Sequence, residues 1–286
     1  MTAAAESGAI GPGFTAASAV RPLGAGRFAV EVDPTWLQGP GAFGGLVAAW
    51  LVRAMEAAVA EPAGAAGAGP ERPLRALSVV FCAPVKPGPA EVTVEVLRAG
   101  LGVSFLAAAL RRRDRLLAHA TATFGRARPE VVDDAPPSMP AVPPPAGLPR
   151  WAPAVGLPVY CQHVGHARCV GQEIVSGPAA EAALGGWTWF LEPTPDDAAA
   201  RVALLDAWPP ALFVRLARPW PVGTVSMHCA LVGPPAPAVP PGTPLLVAAR
   251  SRATREGFSE EEGALWAPDG RLLATSHQVI AVHAEP

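Results

Sequence analysis

Asp114-Arg-Leu-Leu-Ala-His-Ala-Thr-Ala-Thr-Phe124 and Gly270-Arg-Leu-Leu-Ala-Thr-Ser-His-Gln-Val-Ile280 read as two copies of one strand, and their likeness decides the fold. The shared Arg-Leu-Leu-Ala sets the register and places Gln278 opposite Ala122, so at that strand position the second copy is polar where the first is not. A recurrence at this range signals an internal repeat. The flanking segments repeat in order as well. Strand-like runs at 74–83, 90–98, 103–110 and 115–124 follow a first helix, and runs at 223–232, 245–254, 258–266 and 271–282 follow a second. Period-two alternation of Phe28, Val30 and Val32 gives a strand over 27–32 before the first helix; runs near 159–170 and 187–191 precede the second. A helix followed by a meander of long strands implies an α+β arrangement, here two antiparallel sheets, each wrapped round a central helix.

The first helix, 46–60, is apolar nearly all round and must be buried. Gly39-Pro-Gly-Ala-Phe-Gly-Gly45 leads into it, and its glycines let a backbone or a ligand approach the free amides of the first turn. The second helix opens on Thr194-Pro-Asp-Asp197, with Thr194 as N-cap, Pro195 at the first position and two carboxylates at the positive end of the dipole. Asp206 stands late in it, among Leu204, Leu205, Ala207 and Trp208, where propensity and dipole both disfavour a carboxylate. From these residues alone, a solvent-facing Asp206 accounts for the pattern equally well. Pro209 and Pro210 stop the helix. Prolines crowd 128–158, which reads as an extended linker laid along the surface, between a first repeat at 1–127 and a second at 159–286. Residues 1–20 are expected to fray, and 61–72 to form a loop.

Half of the 286 residues are hydrophobic, ample for a sizeable core. The formal charge of −2 and the lack of a basic face exclude nucleic acid as a partner. With no leader-like segment and no apolar run near the roughly 20 residues that span a bilayer, a soluble cytoplasmic protein is expected, with no membrane partner. The four cysteines are too few and scattered for a disulfide framework. Cys161, His163, His166 and Cys169 are spaced like metal ligands, but alternation along a strand would turn His166 away from the others, so no metal is expected. Ser276-His277 lacks a nucleophile-elbow context. Arg111 to Arg115 read as a charged hairpin turn in preference to a phosphate site.

Two helix-and-sheet copies joined in one chain form a tandem (double) hotdog layout. The sequence resembles the type II acyl-CoA thioesterase family of double-hotdog hydrolases. Gly41-Ala-Phe-Gly-Gly45, Leu77-Ser-Val-Val-Phe-Cys-Ala-Pro-Val-Lys-Pro-Gly88 and Leu97-Arg-Ala-Gly100 leading to Ser104 carry the likeness in the first half. Leu204-Leu-Asp-Ala-Trp-Pro-Pro210, Gly223-Thr-Val-Ser226, Gly263-Ala-Leu-Trp-Ala-Pro-Asp-Gly-Arg271 and Ala274-Thr-Ser-His-Gln278 carry it in the second. The resemblance implies that Asp206, Thr224 and Gln278 hold a hydrolytic water. It also implies an acyl-CoA or pantetheine thioester as substrate, with coenzyme A part of the substrate and no separate cofactor. Ser226 stands where the family can carry an Asp.

In this reading Asp206 is the base. The amides of Phe43, Gly44 and Gly45 are candidates to receive charge on the thioester oxygen, although the glycines would serve equally to let helix and sheet pack closely. The first helix has only Glu56, expected to be solvated, so one working site per chain is expected. Two other functions stay open: a biosynthetic dehydratase, cyclase or carrier-protein thioesterase on the same fold, and a non-catalytic acyl-binding protein. Hotdog sheets often continue across subunits, so a homo-oligomer is expected.

Overall fold

The computed structural model describes residues 11–60, 72–129, 131, 136–177, 179–231 and 238–283. The first half contains α1 (Phe14–Ala17), β1 (Arg21–Gly24), β2 (Arg27–Val32), the short pair β3 (Leu37–Gln38) and β4 (Gly41–Ala42), and α2 (Gly44–Ala60). Strands β5 (Leu74–Phe81), β6 (Gly88–Ala99), β7 (Val103–Arg112) and β8 (Arg115–Gly125) complete it. The second half has β9 (Val164–Gly171), β10 (Ala182–Phe190), α3 (Ala198–Leu205), β11 (Val222–Leu231), β12 (Leu245–Arg255), β13 (Phe258–Trp266) and β14 (Leu272–Val282). The expected loop over 61–72 lies almost wholly outside the described residues.

Strand order is the same in both halves. It runs β2-β6-β7-β8-β5 in the first and β10-β12-β13-β14-β11 in the second, and antiparallel pairing of β5 with β11 joins them into one 12-stranded sheet. Leu77 lies opposite Ala122 and Met227 opposite Gln278, so Leu77 and Met227 are equivalent positions. One residue on, the equivalent Ser78 and His228 face each other across the β5–β11 seam, with Ser78 Oγ 2.8 Å from His228 Nδ1. The chain's pseudo-two-fold axis therefore passes between them.

α2 is buried along most of its length, with Leu46, Trp50, Leu51 and Val52 fully enclosed, as its all-round apolar sequence requires. α3 departs from the expected span. It starts at Ala198, and the N-cap is Asp197, whose side chain accepts from the Ala200 N–H at 2.8 Å. Thr194 instead donates to the Glu192 carbonyl, and Asp196 is taken up by a buried two-pronged ion pair with Arg201, both bonds 2.7 Å. Asp197 also pairs with Arg53 of α2 at 3.1 Å, tying the two helices together.

Two further segments differ from the sequence reading. The strand expected over 159–170 begins only at Val164, because Val159–Gln162 forms a 3-10 turn. Residues 11–20, expected to fray, are packed: Phe14 is buried and stacks on Phe190 with ring centres 4.1 Å apart, and Trp36 Nε1 donates to the Pro12 carbonyl. Residues 1–10 lie outside the described ones. Arg112, in the basic run, donates to the carbonyls of Lys86, Pro87, Gly88 and Pro89, so it staples a turn.

The described part of the proline-rich stretch lies on the outer face of the second half. Met139, Val142 and Leu148 pack against Trp187, Leu246, Trp266 and Leu272. Extended proline-rich backbone leaves its carbonyls free. Here two of them accept from tryptophans, Pro143 O from Trp187 Nε1 at 2.8 Å and Pro137 O from Trp266 Nε1 at 3.1 Å.

Candidate active site

The end of α3 meets the start of α2. Asp206 is the C-cap of α3, buried at 9% exposure, and a methyl placed on Gly44 would sit 2.7 Å from its Oδ2 and 3.6 Å from the Phe81 ring. Glycine at 44 is therefore what allows the carboxylate to approach the α2 entrance. Burial pushes the Asp206 pKa up to about 7, while the Gly45 N–H and the Gln278 side chain, as donors, act the other way.

Gln278 and Thr224 stand on neighbouring strands β14 and β11, facing the helices. Gln278 is buried, and the Thr224 hydroxyl donates to its Oε1 at 3.1 Å. That bond fixes the amide orientation, leaving the Gln278 NH2 for Asp206. Asp206, Thr224 and Gln278, far apart in sequence, are thus brought together. A bulge between Thr224 and Ser226 sets which face each takes. It leaves Thr224 opposite the buried Ile280, while Ser226 pairs with the exposed Val80, on the face away from Asp206. An acid at 226 would therefore be remote from this site.

The three candidate oxyanion amides are not equivalent. Phe43 N–H donates to the Trp36 carbonyl at 2.9 Å, and Gly45 N–H is directed at Asp206. Gly44 N–H, at the first position of α2, has no backbone acceptor among the described residues. Glu56 is not solvated as expected: it is half-buried, and burial and Asp197 push its pKa up to about 7 against the pull of Arg53. It lies on the last turns of α2, away from the glycine entrance.

Sequence reading missed three buried polar groups around Asp206. Tyr160 OH donates to the Ala207 carbonyl at 2.8 Å, His166 Nε2 lies 2.9 Å from the same oxygen, and Glu261 accepts the Ala211 N–H at 2.5 Å. Glu261 pairs directly with Gln278 across β13 and β14, and burial pushes its pKa up to about 7. A signal for Glu261 was available: in Glu260-Glu261-Glu262 on a strand, alternation sets the middle carboxylate on the face opposite its neighbours, and burying one acid costs less than burying two. The spaced Cys161, His163, His166 and Cys169 have separate uses. His163 stacks on Trp36 with ring centres 4.4 Å apart, and His166 serves Ala207.

Substitutions at the two glycines separate activity from stability. Gly44→Ala is expected to displace the Asp206 carboxylate and cut turnover about tenfold or more with little change in unfolding temperature. Gly45→Ala would bring its methyl to 2.8 Å from the Ala203 backbone and is expected to destabilise by about 1–3 kcal/mol, read by denaturant unfolding.

A continuous antiparallel sheet built from two equivalent halves, each with its helix, defines a double-hotdog protein, and among the described residues Asp206, Gln278 and Thr224 form a carboxylate–amide–hydroxyl cluster where the two helices meet. Profiles of the acyl-CoA thioesterase N-terminal and C-terminal domains match residues 32–125 and 130–282. The chain belongs to the acyl-CoA thioesterase family and is a thioester hydrolase. A hotdog-fold protein of unknown function from Alicyclobacillus acidocaldarius is 28% identical, with a TM-score of 0.82 over 96% of this chain and 98% of its own. A candidate thioesterase II from Thermobifida fusca is 25% identical, with a TM-score of 0.76 over 95% of this chain and 97% of its own. The tesB protein of Mycobacterium avium subsp. paratuberculosis, 17% identical with a TM-score of 0.75 over 95% and 98%, shares the fold. No curated protein matches the chain by sequence. No helix among the described residues is long and apolar enough to cross a membrane.

Proposed function

We propose that the protein hydrolyses acyl-CoA thioesters with a water activated by Asp206 and held by Thr224 and Gln278. The observation that carries this reading is a buried carboxyl poised near neutrality at a glycine-lined helix entrance, with an oriented amide beside it. In the ionised form Asp206 takes a proton from the water as its oxygen bonds to the thioester carbon. Charge moves to the carbonyl oxygen, for which the Gly44 N–H at the α2 start is the free donor. Collapse breaks the carbon–sulfur bond, and the Asp206 proton goes to the departing thiolate, giving acid and thiol. Gln278 and Thr224 are neutral, so they orient the water without competing for its proton.

The test is free-thiol release from short, medium, long and aromatic acyl-CoAs. Release with a clear preference among acyl groups is expected. Binding of every acyl-CoA with intact recovery would overturn hydrolysis of coenzyme A esters and turn attention to carrier-bound pantetheine.

A further inference from the structure

The turn over 206–211 that carries Asp206 is held by buried polar groups to which the reaction assigns no step. At one end the Ala207 carbonyl accepts from Tyr160 OH and from His166 Nε2, at 2.8 and 2.9 Å. Burial pushes the His166 pKa down to about 4, so the ring is neutral near pH 7 and its Nε2 carries the proton given to that carbonyl. At the other end Glu261 Oε2 accepts the Ala211 N–H. All three side chains are buried, at 1%, 1% and 6% exposure. Tyr160 also reaches the opposite wall: its ring stacks on Phe43, just before Gly44, with centres 4.1 Å apart and planes within 3°.

Burying a phenol, an imidazole and a carboxyl costs more than filling the same space with apolar side chains, unless the groups fix something that packing alone would leave loose. What they share is one turn, and that turn holds the carboxylate. We propose that Tyr160, His166 and Glu261 are positioning residues, which lock the 206–211 turn against the α2 entrance and so hold Asp206 at its distance from Gly44 and Gln278. This inference rests on the reading of Asp206 as the base.

The test measures kcat, KM and thermal unfolding with the acyl-CoA that the native protein turns over fastest. Tyr160→Phe, which keeps the ring and removes one oxygen, is expected to lower kcat about ten- to a hundredfold with KM within about threefold of native. Glu261→Ala is expected to lose a similar factor. Glu261→Gln, whose amide oxygen still accepts the Ala211 N–H, is expected to recover kcat to within about threefold of native. Native kcat in Tyr160→Phe and Glu261→Ala, whatever their unfolding temperatures, would overturn the proposal and leave these groups as packing alone. So would a Glu261→Gln protein as slow as Glu261→Ala. If Glu261→Ala does not fold, Tyr160→Phe decides. Run beside Asp206→Asn, the set separates the two readings. A fully active Asp206→Asn removes the base and this proposal together, whereas an inactive one beside native-like Tyr160→Phe removes only this proposal.

Discussion

Asp206→Asn is expected to fold as the parent does and to lose about a hundred- to ten-thousandfold in kcat/KM, the range a positioned general base supplies. The substitution keeps the shape of the side chain, and its amide oxygen can still accept from Gly45; the capacity to take a proton is lost, together with one of the two oxygens that face the Gly45 and Gln278 donors. Native kcat/KM should rise with pH to a plateau through an apparent pKa of about 7, because the base works only when ionised and burial holds it protonated below that point. Glu261, also buried and raised to about 7, feels the Asp206 charge, so the limb belongs to the pair. A folded Asp206→Asn with full rate would sink the assignment. So would a native profile flat from about pH 5 to pH 9.

The contrast between what was legible in the sequence and what was not follows the range of the interactions. Strand register was legible because Arg-Leu-Leu-Ala recurs, and β8 and β14 do occupy equivalent places beside β5 and β11. The joining of the two expected sheets was not, because β5–β11 pairing depends on two free edges meeting, which no local pattern encodes. At α3, Thr194-Pro-Asp-Asp197 reads as a helix start capped by Thr194, yet the cap is Asp197. Arg201 draws Asp196 into a buried ion pair and Asp197 is left for the amides, an outcome that depends on burial. Phe14 gave no periodic signal, being a lone aromatic among small residues, yet its pocket on Phe190 orders the segment around it.

For the site, residue types were readable and their orientation was not. Asp206 stood out as a carboxylate where helix chemistry disfavours one. Ser226 could be judged only from the bulge, since a regular strand would have put it on the same face as Thr224. Among the amides, the sequence offered Phe43, Gly44 and Gly45 alike. The backbone commits Phe43 to Trp36 and directs Gly45 at Asp206, which leaves Gly44.

The same burial that tunes the site should also make it a source of instability with a definite pH signature. Asp206 and Glu261 have ordinary values of 3.8 and 4.5 and are each raised to about 7 in the folded chain. Below about pH 4 both folded and unfolded chains are largely protonated, and neither group contributes. Between about pH 4 and pH 7 the unfolded chain sheds protons that the folded chain keeps, so stability falls as pH rises; above about 7 the penalty is complete, on the order of a few kcal/mol for each group. Asp206→Asn and Glu261→Gln should therefore unfold several degrees above the parent at about pH 8, with the gap closing toward about pH 4, as followed by circular dichroism across pH. An Asp206→Asn protein no more stable than the parent at about pH 8 would mean that the carboxylate is solvated or fully compensated in the folded chain, and the raised pKa would go with it. The expected result, a variant both more stable and far less active, would place the cost of the buried carboxylate at the residue proposed for the chemistry.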